Sequence, residues 1–477
     1  MTNNLNQKAF SPIITGLWQI ADLERNGTMV DPKFGANAMK KYADEGFETF
    51  DMADHYGSAE EIAGEFAQTF GKNAGKHFTK WVPEPGPITK DTVKAAVAKA
   101  MSRMKTDQID LMQFHAWNYS DPSWVDALFW LQELKNEGLI ANLGLTNFDT
   151  AHLSIVLNSG IEVISNQVCY SLLDQRAASQ MGQFCQANGI NLLAFGTLAG
   201  GFLSEKWLDV PEPKINESLT WSQMKYKRFI DSASDWEGFQ RLLKGLNGIA
   251  KKHEVGLANV ASKFILNQPG VSAVIIGARL GKSEHIAENK RILNLELSNE
   301  ELTEIRGLIS GFSAIPGDCG DEYRKPPYLT ASGDLSDHLS SFPAPYPIYH
   351  GSNGRIKALS GTVWEDIAGF SRAVRKGNRI SISGTTATHG TKAMGGQDPS
   401  AQTHFVIDKI EGALQSLGAT IHDVVRTRIF IKNIDDWEAI ARAHGQRFGE
   451  IQPANTMVRA DLIGDEYLVE IEVEAEL

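Results

Sequence analysis

Three apolar runs in the first quarter of the chain each end in a titratable residue, and stretches with helical periodicity separate them. The runs are Thr49-Phe50-Asp51, leading on to Tyr56, then His77-Phe78-Thr79-Lys80, then residues 109–115, which close on His115. A helical stretch around residues 60–70 lies between the first two. Between the second and third, Val93, Ala96, Val97, Ala100, Met101 and Met104 recur on one face. Alternation of this kind makes a parallel sheet, and closure into a (β/α)8 TIM barrel brings the strand ends to one rim. Asp51, Tyr56, Lys80 and His115 then converge from distant positions. The pattern continues through residues 140–146, 163–171, 191–198 and 273–277. With residues 13–18 as the first strand, about eight units fill residues 1–311. Residues 199–234 exceed a simple strand-to-helix loop and carry Trp207, Trp221, Met224, Tyr226 and Phe229, which marks them as a candidate substrate lid.

At 477 residues the chain has room for two or three domains. Residues 312–349 are rich in Pro, Ser and Gly and read as an interdomain linker. Residues 350–477 follow another pattern, with strands at 379–383 and 424–431 and helices at 401–417 and 436–448. The closing run alternates strictly, Val469, Ile471, Val473 and Ala475 against Glu470, Glu472 and Glu474, as in a strand with one buried face. This predicts a small α+β domain after the α/β barrel.

The net charge of −12 and the lack of any basic block argue against nucleic acid or an anionic membrane as partner. No apolar run is long enough to span a bilayer, and the polar N-terminus lacks the apolar core of a signal peptide. Three scattered cysteines suggest reduced thiols and a cytoplasmic setting. No His/Cys spacing resembles a metal site, so no metal is expected.

Reducing a carbonyl requires a hydride donor, an acid for the developing alkoxide and a means of holding the oxygen. No side chain donates hydride, so a nicotinamide cofactor must supply it. Tyr56 is the best acid; a nearby Lys80 ammonium favours its phenolate, Asp51 keeps Lys80 charged and oriented, and His115 can bond the substrate oxygen. Asp54 and His55 in the same segment read as loop scaffolding. Trp18, Trp81 and Trp117, at or near strand ends, are candidates to line an apolar substrate pocket.

The run from Phe50 to Gly57, then Thr79-Lys80, then Gln113-Phe114-His115, resembles the catalytic tetrad of the aldo-keto reductase family. Gly144-Leu145-Thr146-Asn147-Phe148 is similar to the family's GxSNF segment. The resemblance implies that Thr146 and Asn147, with Gln167, hold the nicotinamide carboxamide and that Phe195 stacks on its ring. It also implies that Arg279, with Glu288 and Asn289, receives the 2′-phosphate and adenine. The cofactor expected on this basis is NADPH, with NADH as the alternative, because Leu280 and His285 replace a hydroxyl and a second Arg of NADPH-specific relatives.

Residues from about 363 onward resemble the YjgF/Rid family of small trimeric proteins, some of which hydrolyse imines. The matching stretches include Ser381-Ile382-Ser383-Gly384, Pro453-Ala454-Asn455-Thr456 and Glu470-Ile471-Glu472. Ser383 and Glu470 match the family's cleft. However, Asn455 replaces an Arg that grips a substrate carboxylate, and Phe370 replaces a Tyr. The resemblance therefore implies ligand binding or trimerisation rather than imine chemistry. The expected function is reduction of a small aldehyde or ketone by a homo-oligomer. The competing expectations are a nucleotide-sensing regulatory scaffold and a bifunctional enzyme that couples imine hydrolysis to carbonyl reduction.

Overall fold

The structure is a computed structural model that describes residues 10–477 apart from 25, 26, 28, 85–87, 179, 217, 331–341 and the side chain of residue 22. Eight parallel strands close into a barrel in sequential order: β1 (Ile13–Gly16), β2 (Thr49–Asp51), β3 (Lys76–Trp81), β4 (Leu111–Phe114), β5 (Leu143–Thr146), β6 (Ser165–Cys169), β7 (Asn191–Phe195) and β8 (Val271–Gly277). The strand period of two sorts the interior into layers. Ile14, Phe78, Leu111, Leu193 and Ile275 form an apolar plug, capped by the edge of Phe10 at 5.6 Å from the Phe78 ring. Two residues further along the strands, Asp51, Lys80, Gln113 and Gln167 form a buried polar layer. Gly144 is glycine because a Cβ there would lie 2.5 Å from Ser165 Oγ.

The C-terminal part is a seven-stranded sheet built from β9 (Ile348–His350), β10 (Arg355–Ala358), β11 (Ala373–Lys376), β12 (Arg379–Thr385), β15 (Val424–Ile431), β16 (Ala454–Arg459) and β17 (Val469–Glu476). Its order is β16-β15-β17-β12-β11-β10-β9, and a two-stranded hairpin, β13 (Thr388–His389) with β14 (Lys392–Ala393), lies beside it. As the alternation predicts, Val469, Ile471, Val473 and Ala475 are buried. On the opposite face Glu472 and Glu474 pair with Arg428 at 3.1 and 2.8 Å. β9, β10, β11 and β16 were not expected from the sequence, because they are short and mostly exposed and carry no clear apolar period.

Helix Pro399–Ser416 is buried nearly all round because it lies between its own sheet and barrel helix Thr150–Asn158. That sandwich explains its buried polar side chains. His152 is the central tie: its Nδ1 meets Asp149 at 2.7 Å and its Nε2 meets Asp408 of the C-terminal part at 2.9 Å. Its ring stacks on Tyr119 at 3.4 Å, and Arg447 bonds Asp408 and Glu411, both at 2.6 Å.

The stretch expected to be a free linker behaves otherwise over its first half. Residues 331–341 lie outside the described residues, but 312–330 pack back on the barrel. Arg176 of the barrel bonds Asp318 O at 2.7 Å and Glu322 at 2.8 Å, and Arg324 donates to the carbonyls of Ala116 and Asn147, both at 2.8 Å. The Pro/Gly composition conceals a short helix, Asp321–Arg324, whose Glu322 and Arg324 side chains are partnered by the barrel.

Burial alone would push the His152 imidazole down, but the carboxylates of Asp149 and Asp408 outweigh it and hold the pKa up at about 9. A folded-state pKa above the ordinary 6.5 gives stability that is complete below that value and is lost as pH rises through about 9, on the order of 3 kcal/mol in all. Lys409, pushed down to about 7 by burial, acts in the opposite direction. The test is therefore the stability difference between wild type and Asp408→Asn, in which the lysine cancels. Urea unfolding should show the gap narrowing by ~1 kcal/mol or more between pH 6.5 and 9.5; a constant gap would contradict the pairing.

Candidate active site

The polar layer of the barrel is organised around Asp51. Its Oδ2 accepts from Lys80 Nζ at 2.6 Å, and its Oδ1 accepts from Gln113 Nε2 at 3.0 Å and Gln167 Nε2 at 2.7 Å. Three donors on one carboxylate compensate its removal from water. Lys80 gives a second hydrogen bond to Met52 O at 2.7 Å, and its ammonium lies 4.8 Å from the centre of the Tyr56 ring. Burial pushes Lys80 below the usual lysine range, and the Asp51 carboxylate opposes that shift. Gln113 was overlooked in the sequence, where a Gln inside an apolar strand gives no sign of facing inward toward a carboxylate.

Tyr56 follows β2 on a loop held by Glu24, which accepts from the backbone and hydroxyl of Ser58 at 3.0 and 2.5 Å. Trp18 and His55 meet the Tyr56 ring edge-on at 5.0 and 4.9 Å. Asp54 accepts from Val82 N at 3.2 Å and contacts His55 at 2.9 Å, whereas His55, also read as loop scaffolding, lines the cavity at the strand ends.

His115 is buried at the end of β4, with Trp117 edge-on at 4.4 Å. Burial first, and the Arg324 guanidinium second, hold it well below the ordinary histidine range, so the ring is neutral at pH 7. Asn147 Nδ2 comes within 3.4 Å of Nδ1. Both His115 Nε2 and Asn147 Oδ1 are buried without a hydrogen-bond partner among the described residues. Asn147 adopts the left-handed conformation with φ 60°, and its carbonyl is fixed by Arg324.

These groups share a cavity of about 590 Å³ at the strand ends. Asp51, Tyr56, Lys80 and His115 all line it, as do Thr146, Asn147, Gln167, Phe195, Arg279, Glu288 and Asn289, so the barrel positions singled out in the sequence converge with one exception. Trp18 and Trp117 are on its wall, but Trp81 is not. The strand pleat turns Lys80 inward and Trp81 outward, where Trp81 packs on Phe114 at 5.4 Å in the core. Leu280 is likewise a core residue.

The expected lid resolves into two parts. Helix Trp221–Ala233 crosses the mouth, setting Ser222, Lys225 and Tyr226 on the wall and Trp221 6.0 Å from Trp18, whereas Trp207 packs on Phe202 in the core. The other part is its first turn, which with the residues just before it, Gly196 to Leu198, lines the cavity and was not singled out in the sequence. Gly196, Ala199, Gly200 and Gly201 all have positive φ, between 46° and 90°, and a Cβ at Gly196 would lie 2.2 Å from the Tyr226 hydroxyl. This left-handed turn at the cavity edge is closed by its own backbone bonds, Ala199 N to Gly196 O and Gly201 N to Leu198 O, both at 2.8 Å. The signal was legible as Gly-Thr-Leu-Ala-Gly-Gly directly after a strand. Tyr323, from the segment after the barrel, also lines the cavity.

The four positions carried over to the C-terminal cleft do not form one site within the chain. Asn455 on β16 and Ser383 on β12 are separated by β15 and β17, roughly 14 Å at ordinary strand spacing. Asn455 bonds Thr427 at 2.8 Å, Ser383 bonds Ser371 O at 2.9 Å, and the Phe370 ring lies under the Arg372 guanidinium at 5.3 Å. Glu470 flanks Gly384, and burial raises its carboxyl. Among the described residues no group of His, Cys, Asp and Glu could hold a metal ion, and no helix is long and apolar enough to cross a membrane.

Comparison with known proteins agrees with this architecture. Residues 12–310 match the model of the aldo/keto reductase family, and residues 363–477 match that of the endoribonuclease L-PSP family. The uncharacterized oxidoreductase YqkF of Bacillus subtilis is 28% identical over 56% of this chain and 83% of its own. The C-terminal part is similar to the uncharacterized protein SCO2049 of Streptomyces coelicolor, 38% identical over 25% of this chain and 90% of that protein. The structure of the glycerol dehydrogenase AKR11B4 from Gluconobacter oxydans superimposes with a TM-score of 0.53 over 65% of this chain and 94% of its own, at 20% identity, a likeness of fold. With a family model spanning well over half its length, the chain belongs to the aldo/keto reductase family, joined to a C-terminal YjgF-type α+β unit.

Proposed function

We propose that the barrel reduces a small aldehyde or ketone to an alcohol, with Tyr56 as the proton donor. The observation that carries this reading is the Lys80 ammonium, pinned by Asp51 and Met52 O, 4.8 Å from the Tyr56 ring in the cavity that His115 also lines. A bound nicotinamide dinucleotide supplies the hydride. Tyr56 and the His115 ring receive the carbonyl oxygen. As that oxygen gains charge, the phenol O–H breaks and the alcohol O–H forms, and the resulting phenolate is held by the Lys80 ammonium until solvent returns the proton. Neutral His115 positions the oxygen without competing as an acid.

The residues present fit the cofactor. Asn147 Oδ1 is a buried acceptor without a hydrogen-bond partner among the described residues, Thr146 lies beside it, and Gln167, with both amide protons used on Asp51 and Gln113, keeps its Oε1 for a carboxamide N–H. Phe195 offers a stacking face. Arg279, Glu288 and Asn289 line the opposite end, where the Arg279 guanidinium favours NADPH over NADH. For the C-terminal unit we propose trimerisation, supported by the loss of the Arg clamp at Asn455 and by an open sheet face that exposes Val425 and Val458. Three buried thiols without a disulfide fit a cytoplasmic setting.

Tyr56→Phe should lower kcat on a generic aldehyde by roughly 100-fold or more while leaving cofactor affinity within about twofold, read by stopped-flow oxidation of NADPH; equal rates would remove Tyr56 as the acid. Arg279→Ala should weaken NADPH binding about tenfold and NADH binding little, measured by fluorescence titration; equal losses would separate Arg279 from the 2′-phosphate. Sedimentation of the full chain at micromolar concentration should give a trimer, and a monomer would overturn the proposed assembly.

A further inference from the structure

Lys225, on the helix that crosses the cavity mouth, is 5% exposed and lines the cavity. Its ammonium is ringed by aromatic faces, 4.4 Å from the centre of Tyr323 and 5.2 Å from that of Phe195, with Tyr226 and Phe229 at 5.7 and 6.0 Å. Its hydrogen bond to a protein acceptor is to the Tyr323 hydroxyl, at 2.5 Å. Among the described residues it makes no ion pair. The other buried cations of the barrel do: Lys80 with Asp51, Arg176 with Asp174 and Glu322, and, two residues away on the same helix, Lys227 with Glu212 and Asp231.

An ammonium has three donors, and ring faces and one phenol replace only part of its lost hydration. A desolvated cation on a cavity wall attracts an oxyanion, which would gain a charge-assisted hydrogen bond that water does not screen. Tyr323 lies between Lys225 and the reacting end, its ring 5.7 Å from His115, so the cation and the carbonyl-binding groups face one volume.

We infer that Lys225, held by Tyr323, is the subsite for an anionic group of the substrate, so that the preferred substrates are aldehydes or ketones bearing a carboxylate or phosphate. This rests on the carbonyl-reductase reading for the reaction itself, but not for the binding of the anion. The selectivity lies in a residue of the lid and one from beyond the barrel.

The test uses the full chain with its cofactor, comparing 4-carboxybenzaldehyde with benzaldehyde as substrates and benzoate with benzamide as unreactive ligands. Wild type should favour each anion at least tenfold, in kcat/KM and in Kd. Lys225→Met should remove that preference, mainly through KM, and leave benzaldehyde turnover within about twofold, which also reports on folding. The inference is overturned if wild type shows no preference for the anions, if Lys225→Met leaves benzoate binding unchanged, or if the variant instead weakens NADPH binding by a similar factor, which would assign the ammonium to the dinucleotide diphosphate. Loss of carbonyl turnover with the benzoate preference intact would count against the reductase reading and support the anion site.

Discussion

The buried ion pair between Lys80 and Asp51 is the constraint on which the site depends. Two charges this far from water are tolerated only when their remaining hydrogen-bonding capacity is met, and Gln113, Gln167 and Met52 O meet it. The pair and these partners come from four strands or their ends, so barrel closure and the ion pair support each other. The apolar plug of Phe78, Leu111 and Leu193 seals the layer from the opposite mouth. The ammonium can then act only on what enters from the strand ends, where Tyr56 and His115 lie.

The C-terminal unit is fastened to the same region. Asn147, whose carbonyl Arg324 holds, is two residues from Asp149, which caps helix Thr150–Asn158 and pairs with His152. His152 in turn reaches Asp408 on the helix that forms the core of the second unit. A contiguous path of hydrogen bonds and backbone thus joins the interface to the cavity wall at Asn147. Tyr323 and Arg324 show the same economy, since the connection between the two units supplies part of the cavity wall and part of its support.

Much of the barrel was legible because parallel strands buried on both faces read as short apolar runs, and the titratable residues at their ends stood out against them. Asp51, Lys80 and His115 were visible in that way, and Tyr56 through its spacing from Asp51. What stayed hidden was polar chemistry without a periodic signature. Gln113 looks like a strand residue until the pleat direction is known, and the same pleat that turns it inward carries Trp81 out of the cavity. Arg324 and Tyr323 lay in a stretch whose prolines and glycines masked a four-residue helix. Asp408 and Lys409 looked like the solvent side of an amphipathic helix, because a sequence does not reveal that a second domain covers that side. The cleft positions taken from motifs in the C-terminal unit fall on separate strands, since strand order is a long-range property.

The most direct measurement is the titration of the Tyr56 phenol itself, taken as the ultraviolet difference between wild type and Tyr56→Phe across pH and repeated in a Lys80→Met background. The account predicts a phenol that ionises below its ordinary value near ~10 in the presence of Lys80 and moves upward by about a unit or more without it. A phenol that titrates at or above ~10 and is indifferent to Lys80 would contradict it.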